Sequence, residues 1–125
     1  MKYIVDGHNL IPKLGWSLQA LDDEMRLVNL LLEFCRIKRA QVEVFFDRAP
    51  AGQSGRRSFG AVSAHFVRQG STADVAIMSR VIQLGKTAAN WTVVSSDQRV
   101  QTAARAERAR VIRSEEFAGQ DRKSV

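Results

Sequence analysis

Four aspartates occupy positions from which they could share one site. Asp6, Asp47 and Asp97 each follow an apolar run that is typical of a buried strand, and Asp74 opens a predicted helix after a further run. The carboxyl ends of parallel strands share one edge of a sheet, and ligand sites form there. Clustered carboxylates repel one another unless a cation neutralises them, and their hard oxygen atoms favour Mg²⁺ or Mn²⁺. The pattern therefore predicts a site for one of these ions at that edge.

Each aspartate also has a purely structural explanation. Asp6 precedes a glycine in a turn signal, and Asp47 could end its strand before an Arg-Ala-Pro loop. Ser71 and Asp74 match a helix capping box, and Asp97 could be the N-cap of the helix that follows it. The structural explanation would need four coincidences at one edge of one sheet, so the pattern as a whole favours a functional acidic site.

Polar residues beside the aspartates could position water or phosphate. Asn9, close behind the first aspartate, either orients a carboxylate or a bound water or caps a short turn. Ser95 and Ser96 precede the last aspartate and could also orient a water or a phosphate. His8 is expected to be structural, because water activated by a metal needs no separate general base.

The charge balance points to a polyanionic partner. The chain carries 19 Lys and Arg residues against 13 Asp and Glu, a net charge of +6, which favours nucleic acid. Setting the four aspartates aside leaves 19 basic residues against nine acidic ones, an excess of ten over the rest of the molecule. Arg48, Arg56 and Arg57 lie in a predicted flexible, basic loop, and Arg99 lies one turn into a predicted helix. These arginines could guide phosphates past the acidic edge, although a merely solvated loop is the alternative for the first three.

Composition limits the class of protein. The 125 residues suit one domain, and 45% hydrophobic with 26% charged residues is typical of a globular chain. No apolar run approaches the length of a membrane span, so no membrane partner is expected. The single cysteine, Cys35, excludes an internal disulfide, fits a cytoplasmic setting and is expected in the core. Two histidines and one cysteine at these spacings do not make a zinc site.

The order of elements predicts an α/β fold. Apolar runs and helical periodicity give the order β-α-β-β-α-β-α-β. We predict strands at residues 3–5, 42–46, 61–67, 91–95 and 110–112, helices at 17–39, 71–84 and 97–107, and a last helical turn at 115–118. The strands are near-continuous apolar runs, as burial on both faces requires.

Residues 1–118 are therefore predicted to form a single three-layer α/β/α sandwich with a mostly parallel five-stranded sheet, followed by a polar tail at 119–125. A ferredoxin-like β-α-β-β-α-β unit is the alternative. The 13 residues at 48–60 are too many for the ordinary hairpin loop that this alternative needs.

Four short motifs stand out: Asp6-Gly7-His8-Asn9-Leu10-Ile11, Val44-Phe45-Phe46-Asp47, Ser71-Thr72-Ala73-Asp74 and Val94-Ser95-Ser96-Asp97-Gln98. Taken together, they resemble the YacP-like branch of NYN domains, which are PIN-like metal-dependent ribonucleases. The likeness runs from Tyr3 to about Phe117 in the order and spacing of the family. It implies a PIN-like fold and an endoribonuclease site with Asp6, Asp74 and Asp97 as metal ligands and Asp47 and Asn9 close by.

The sequence departs from the family just after Asp74. Relatives often carry further acids there, one of them a turn along the helix, whereas this chain has Val75 and Met78. Met78 shares a helical face with Val75 and Ile82, so we expect it in the core. A missing carboxylate could leave a one-metal enzyme, or a domain that binds RNA and cuts it poorly.

The leading hypothesis is a small cytoplasmic endoribonuclease that uses Mg²⁺ or Mn²⁺ and acts on messenger, ribosomal or ribosome-associated RNA. The alternative is a non-catalytic RNA- or ribosome-binding module that keeps the fold. A receiver-like or phosphatase-like domain ranks last, because receiver chemistry needs a lysine near the end of the fifth strand, where this chain has Arg110 and Arg113. The pattern does not require a homodimer and leaves the oligomeric state open.

Overall fold

A single sheet organises the protein. The computed structural model describes residues 1–16, 22–49 and 52–124, with side chains described as far as Gly119. The strands are β1 (Lys2–Asp6), β2 (Gln41–Ala49), β3 (Gly55–Phe59), β4 (Val62–Arg68), β5 (Trp91–Val94) and β6 (Arg110–Ile112). Within the described ranges these six strands lie in the order β3-β4-β2-β1-β5-β6, and every pair is parallel except β3 with β4. The mostly parallel sheet is confirmed, with one strand more than the predicted five.

Helices cover both faces of this sheet. They are α1 (Gly7–Leu10), α2 (Asp23–Lys38), α3 (Ala73–Leu84), α4 (Gln98–Ala106) and α5 (Ser114–Ser124), with 3₁₀ helices at Ile11–Leu14 and Gly85–Asn90. Residues of α2 and α5 pack in one hydrophobic cluster, and residues of α3 and α4 pack in the other. The three-layer α/β/α architecture is confirmed. In the part of the chain that the structure describes, no helix is both long and apolar enough to cross a membrane.

The two clusters explain the apolar strands. Successive side chains of a strand point to opposite faces, so Val5 joins the cluster beneath α2 while Ile4 joins the cluster beneath α3, and both are fully buried. Strand β1 lies between β2 and β5, with Val5 paired to Val44 on one side and to Val94 on the other. A strand buried on both faces needs a continuous apolar sequence, which the pattern correctly indicated.

The predicted basic loop at 48–60 is wrong in part. Strand β2 continues through Ala49, and Gly55–Phe59 forms β3, which pairs antiparallel with β4; residues 50 and 51 lie outside the described part of the chain. Its sequence, Gly-Arg-Arg-Ser-Phe, lacks an apolar run because β3 is an exposed edge strand. Gly60, at φ +74°, makes the tight turn into β4. Pairing with β4 therefore creates a strand that local pattern alone does not indicate.

Two helices differ from the predicted bounds by more than two residues at one end. The helix predicted at 17–39 begins at Asp23 and ends at Lys38, and residues 17–21 lie outside the described ranges. The last helical turn predicted at 115–118 is part of α5, which extends to Ser124, so the predicted boundary at 118 falls inside a helix. Phe117 anchors α5, since its ring packs on Phe34 at 4.9 Å and on Tyr3 at 6.0 Å between centroids.

The orientation of α3 corrects a second prediction. Its buried face consists of Ala73, Ile77 and Val81, whereas Val75 is 48% exposed and Ile82 is 63% exposed. The expected core role of the face shared by Val75, Met78 and Ile82 is therefore wrong, and Met78 is only partly buried. The sequence of α3 contains two apolar stripes, one with Ile77 and one with Val75 and Ile82, and only the first packs on the sheet.

An ion pair fixes α3 against β2. The Arg80 guanidinium donates through Nε to Glu43 Oε1 at 2.9 Å and through Nη2 to Oε2 at 2.8 Å. Burial alone would raise the pKa of Glu43, but the hydrogen bonds from His65 and Arg80 lower it to about 2. A bidentate pair of this kind sets the register of the helix along the strand, and so the position of Asp74 at the start of α3.

Gly7 marks the closest approach of α1 to β2. A Cβ at this position would lie 2.4 Å from Phe46 Cε1 and 3.0 Å from the carbonyl oxygen of Phe45. We expect Gly7→Ala to lower the free energy of unfolding by about 1–3 kcal/mol, because the backbone or the Phe46 ring must move. Chemical denaturation measures the change.

The matched control is Gly119→Ala in α5, where an added Cβ would meet nothing within 4 Å. Alanine favours a helix over glycine, so this variant should be unchanged or more stable by up to about 1 kcal/mol. Equal effects of the two substitutions would contradict the steric explanation for Gly7.

Candidate active site

The predicted aspartates gather at the carboxyl edge of the sheet. Asp6 is the last residue of β1, Asp47 lies near the end of β2, Asp74 is in the first turn of α3, and Asp97 is the N-cap of α4 just beyond β5. The parallel register of β1 with β2 and β5 aligns these strand ends. We call these four residues the acidic edge.

Asp6 lies at the centre of the acidic edge. It is 8% exposed, and its Oδ2 accepts a hydrogen bond from Ser95 Oγ at 3.3 Å. Burial raises the pKa of Asp6 to about 6; the Ser95 hydrogen bond opposes this shift, and the negative charges of Asp47, Asp74 and Asp97 add to it. Asp6 makes no side-chain cap to α1, so the turn explanation does not account for its carboxylate.

Asp47 lies at an irregularity of β2. The register with β4 shifts between Phe46 and Ala49, and Arg48 adopts φ +60°, a left-handed conformation that residues other than glycine rarely take. Such bulges re-aim side chains, often beside functional sites. Asp47 Oδ1 lies 2.8 Å from His8 Nδ1, and its Oδ2 accepts from the backbone amide of Ala73 at 3.4 Å.

His8 joins Asp47 to a third element. Its Nε2 lies 2.7 Å from Glu24 Oε2, in the first turn of α2. Burial by itself lowers the pKa of His8, but hydrogen bonds and the charges of Glu24 and Asp47 outweigh it, and the net direction is upward. His8, which we expected to be structural, thus lies between two carboxylates. The contact with Glu24 was missed because only the tertiary fold brings α2 to this place.

Arg99 bridges the other two aspartates of the acidic edge. Its guanidinium donates to Asp74 Oδ2, and its Nε lies 3.7 Å from Asp97 Oδ1. The Arg99 side chain is 72% exposed, while that of Asp74 is 13% exposed. A hydrogen bond from Thr72 is the main cause that lowers the pKa of Asp74, and the positive charge of Arg99 contributes.

Of the two helix caps that the sequence suggested, the one by Asp97 is formed and the one by Ser71 is not. Asp97 Oδ1 accepts from the amides of Arg99 at 2.8 Å and Val100 at 3.3 Å, so it does cap α4. Its second carboxylate oxygen remains outside this cap. The N-cap of α3 is Thr72, whose Oγ1 accepts from the amide of Val75 at 3.4 Å, so the Ser71 capping box is not formed.

Asn9 belongs to a network that ties α5 to the acidic edge. Its Oδ1 accepts from the amide of Ser96 at 2.9 Å and from Ser114 Oγ at 2.5 Å. Ser96 Oγ donates to Glu115 Oε2 at 2.7 Å and accepts from the amide of Ser114 at 3.0 Å. This network orients the amide group of Asn9. Ser114 and Glu115 were missed, because the sequence shows them only as the start of a last turn.

The predicted phosphate-binding arginines divide into two groups. Arg99 lies on the acidic edge itself, whereas Arg56 and Arg57 are exposed on β3. The Arg57 guanidinium lies 5.2 Å from the centroid of the Phe66 ring, and Arg56 Nη2 donates to Ser63 Oγ at 3.2 Å. Arg48 is exposed beside Asp47. Because β3 is antiparallel to β4, its first residues lie toward the carboxyl edge.

The carboxylate oxygens of the acidic edge are of the type that binds a hard divalent cation, but they do not converge on one point. Among the described residues, no group of three His, Cys, Asp or Glu side chains lies close enough together to hold a metal ion. Arg99 instead neutralises part of the negative charge, and His8 adds to this when its ring is protonated. Burial is the main cause that raises the pKa of Asp6, the nearby acidic charges add to it, and a cation beside Asp6 would favour the ionised form. Ser95 and Asn9 already hold fixed orientations there.

These features are those of a nuclease-type α/β domain with an acidic edge, and sequence comparison gives the family. A family model for the YacP-like NYN domain matches residues 3–124, so the chain belongs to that family of nuclease-type domains. The resemblance that the motifs predicted is thereby confirmed.

Solved structures support the fold. Crystal structures of Rae1 (YacP) from Bacillus subtilis and of a tryptophan-to-leucine mutant of it superpose with TM-scores of 0.77 and 0.76. Each is 22% identical to this chain and covers 99% of it, and the chain spans 75% and 76% of those proteins. No curated protein matches the chain.

The pKa of Asp6 predicts how stability depends on pH in metal-free protein. The folded state holds the Asp6 proton up to about pH 6, while an unfolded chain releases it near 3.8, so stability falls as the pH rises between these values. We expect Asp6→Asn, which keeps an acceptor for Ser95, to raise the free energy of unfolding at pH 7.5 by about 1–3 kcal/mol. The gain should shrink towards pH 4 in urea titrations.

Asp22→Asn is the matched control. Asp22 is exposed and makes no side-chain cap to α2, so its substitution should change stability by less than about 0.5 kcal/mol at every pH. A loss of stability in Asp6→Asn at pH 7.5 would contradict the electrostatic cost assigned to the acidic edge.

Proposed function

We propose that this protein is a metal-dependent endoribonuclease that hydrolyses RNA phosphodiester bonds at the acidic edge. The observation that carries the proposal is the buried Asp6 carboxylate, whose pKa is raised to about 6 by burial and by the surrounding acidic side chains. Membership of a nuclease-type family supports the same conclusion. A site that concentrates carboxylates against their mutual repulsion is suited to a cation and not to a neutral ligand.

Asp6, Asp74 and Asp97 are the residues that we propose hold Mg²⁺ or Mn²⁺, with Asp47 close by. A bound ion of this kind lowers the pKa of a water and stabilises negative charge on a phosphate. The protein's own groups would do the positioning. Ser95 orients Asp6, and Asn9, whose Oδ1 is already taken by two donors, would offer its amide nitrogen to a phosphate or a water.

Arg99 would exchange partners when substrate binds. Its guanidinium now neutralises Asp74, and its high exposure leaves it free to turn towards a phosphate once that charge is neutralised otherwise. In-line attack by water would leave a 3′-hydroxyl and a 5′-phosphate. We place the activity in the cytoplasm, as the single cysteine predicts, with messenger, ribosomal or ribosome-associated RNA as the substrate class.

A non-catalytic RNA- or ribosome-binding module is the second candidate. The observations that favour it are the absence of a converged ligand group among the described residues and the apolar Val75 and Met78 where relatives often have acids. In that case Arg99 would keep Asp74 neutralised permanently, and the basic surface alone would carry the function.

Asp74→Asn separates the two candidates. We expect the cleavage of a labelled RNA with Mn²⁺ to fall by at least about 100-fold, the loss typical of removing a group that stabilises charge in the transition state. RNA binding should be unchanged or tighter, because a negative charge is removed. Glu33→Gln, which removes the same charge from an exposed position on α2, should leave cleavage unchanged. If highly purified wild-type protein cuts no RNA with either ion and Asp74→Asn behaves identically, the binding module is correct.

The arginines of β3 give a separate prediction for RNA binding. Replacing Arg56 and Arg57 together by glutamine should weaken RNA binding and reduce the slope of log K against log salt concentration by about two, one for each phosphate contact. The control replaces Lys38 and Lys86, which precede the amino ends of β2 and β5 and so lie away from the acidic edge. Equal losses in both double variants would point to general charge and not to a β3 contact.

A further inference from the structure

His8 is the residue that connects the acidic edge to α2. Its two ring nitrogens each contact a carboxylate, Asp47 Oδ1 at 2.8 Å and Glu24 Oε2 at 2.7 Å. Asp47 lies 39 residues away along the chain, on β2, and Glu24 lies 16 residues away, on α2. An ionised carboxylate only accepts hydrogen bonds, so both ring nitrogens donate.

Packing holds the His8 ring in this place. Gly7 lets α1 approach β2 so closely that no Cβ would fit, and the ring of His8 lies 5.4 Å from the centroid of the Phe46 ring. The side chains of His8 and Asp47 are each 27% exposed, and that of Glu24 is 38% exposed. A partly buried ring with two charged partners and an aromatic neighbour has little rotational freedom.

The Asp47 carboxylate connects His8 to the start of α3. While Oδ1 contacts His8, Oδ2 accepts from the backbone amide of Ala73, the first residue of α3. The next residue is Asp74, so the orientation of the Asp47 carboxylate bears on where Asp74 lies along the acidic edge. Strand β2 is irregular here, and Arg48 is in a strained conformation, so the backbone alone does not fix the Asp47 side chain.

We propose that His8 is a positioning residue: supported by Glu24, it fixes the Asp47 carboxylate and, through the amide of Ala73, the place of Asp74. The effect on cleavage rests on the proposed nuclease function, whereas the effect on the start of α3 does not. Substituting a residue that orients a metal ligand through a hydrogen bond usually lowers activity or metal affinity by about 10- to 100-fold, so the loss is measurable.

Two substitutions at His8 separate its two contacts. In His8→Asn the amide nitrogen comes near the place of Nδ1, so the contact with Asp47 is kept and that with Glu24 is lost. In His8→Gln the amide nitrogen comes near the place of Nε2, so the contact with Glu24 is kept and that with Asp47 is lost. Both variants are neutral and similar in size, which makes each the control of the other.

The first readout does not depend on catalysis. In His8→Gln we expect the backbone amide resonances of Ala73 and Asp74 to shift and the affinity for Mn²⁺, measured by calorimetry, to fall about tenfold. In His8→Asn, which loses only the support from Glu24, both should change in the same direction but clearly less than in His8→Gln. Unmoved amide resonances in folded His8→Gln, or equal shifts in the two variants, overturn the proposal.

The second readout is the cleavage of RNA. His8→Gln should lower kcat about tenfold and change KM less than about twofold, because positioning acts on the reacting groups and not on RNA affinity. His8→Asn should recover most of the rate. If the wild-type protein does not cut RNA while the amide shifts appear as expected, the positioning role stands and the nuclease function fails.

A second variant keeps the test valid if His8→Gln does not fold. Glu24→Ala removes the support behind the ring and keeps the His8–Asp47 contact, so the amide resonances of Ala73 and Asp74 should broaden or shift. Glu33→Ala, on the same helix and exposed, is the control and should leave them unchanged. Unchanged resonances in Glu24→Ala overturn the proposal, because a ring that depends on Glu24 for support should move when this support is lost.

Discussion

The parallel pairing of β1 with β2 and β5 is the constraint on which the rest of the structure depends. It buries β1 on both faces, so Ile4 and Val5 are fully buried and Asp6 is carried to the end of a strand with little access to water. Because parallel strands end at the same edge, the loops and helices after β2 and β5 must begin beside Asp6. Both hydrophobic clusters, and the helices that complete them, follow from this arrangement.

The same pairing imposes an electrostatic cost at the acidic edge. Asp6 lies where hydration is limited and three further acidic residues lie near it, so the pKa of Asp6 rises to about 6. Arg99 supplies nearby positive charge, and His8, on a different element, adds to it when its ring is protonated. Outside this edge the chain has an excess of ten basic residues. An acidic edge within a basic surface suits a site that attracts a cation locally and a phosphate chain at longer range.

Much of the fold could be predicted from the sequence, because buried parallel strands and amphipathic helices have local signatures. The exceptions have physical reasons. Strand β3 has no apolar run, since an exposed edge strand needs none, and only pairing with β4 defines it. Helix α3 has two apolar stripes, and periodicity cannot say which one meets the sheet; the bidentate contact between Arg80 and Glu43 favours the stripe of Ile77.

The sequence by itself determined that Asp6, Asp47 and Asp97 lie at or just beyond the ends of strands and that Asp74 lies in the first turn of a helix. The parallel pairing of the strands brings these positions to one edge. The sequence also predicted the cap that Asp97 makes, because a cap depends on residues two and three positions away. Only the tertiary structure decided which partner each carboxylate takes. The contacts of His8 with Glu24 and of Arg99 with Asp74 join residues 16 and 25 positions apart, and no local pattern encodes a distance in space.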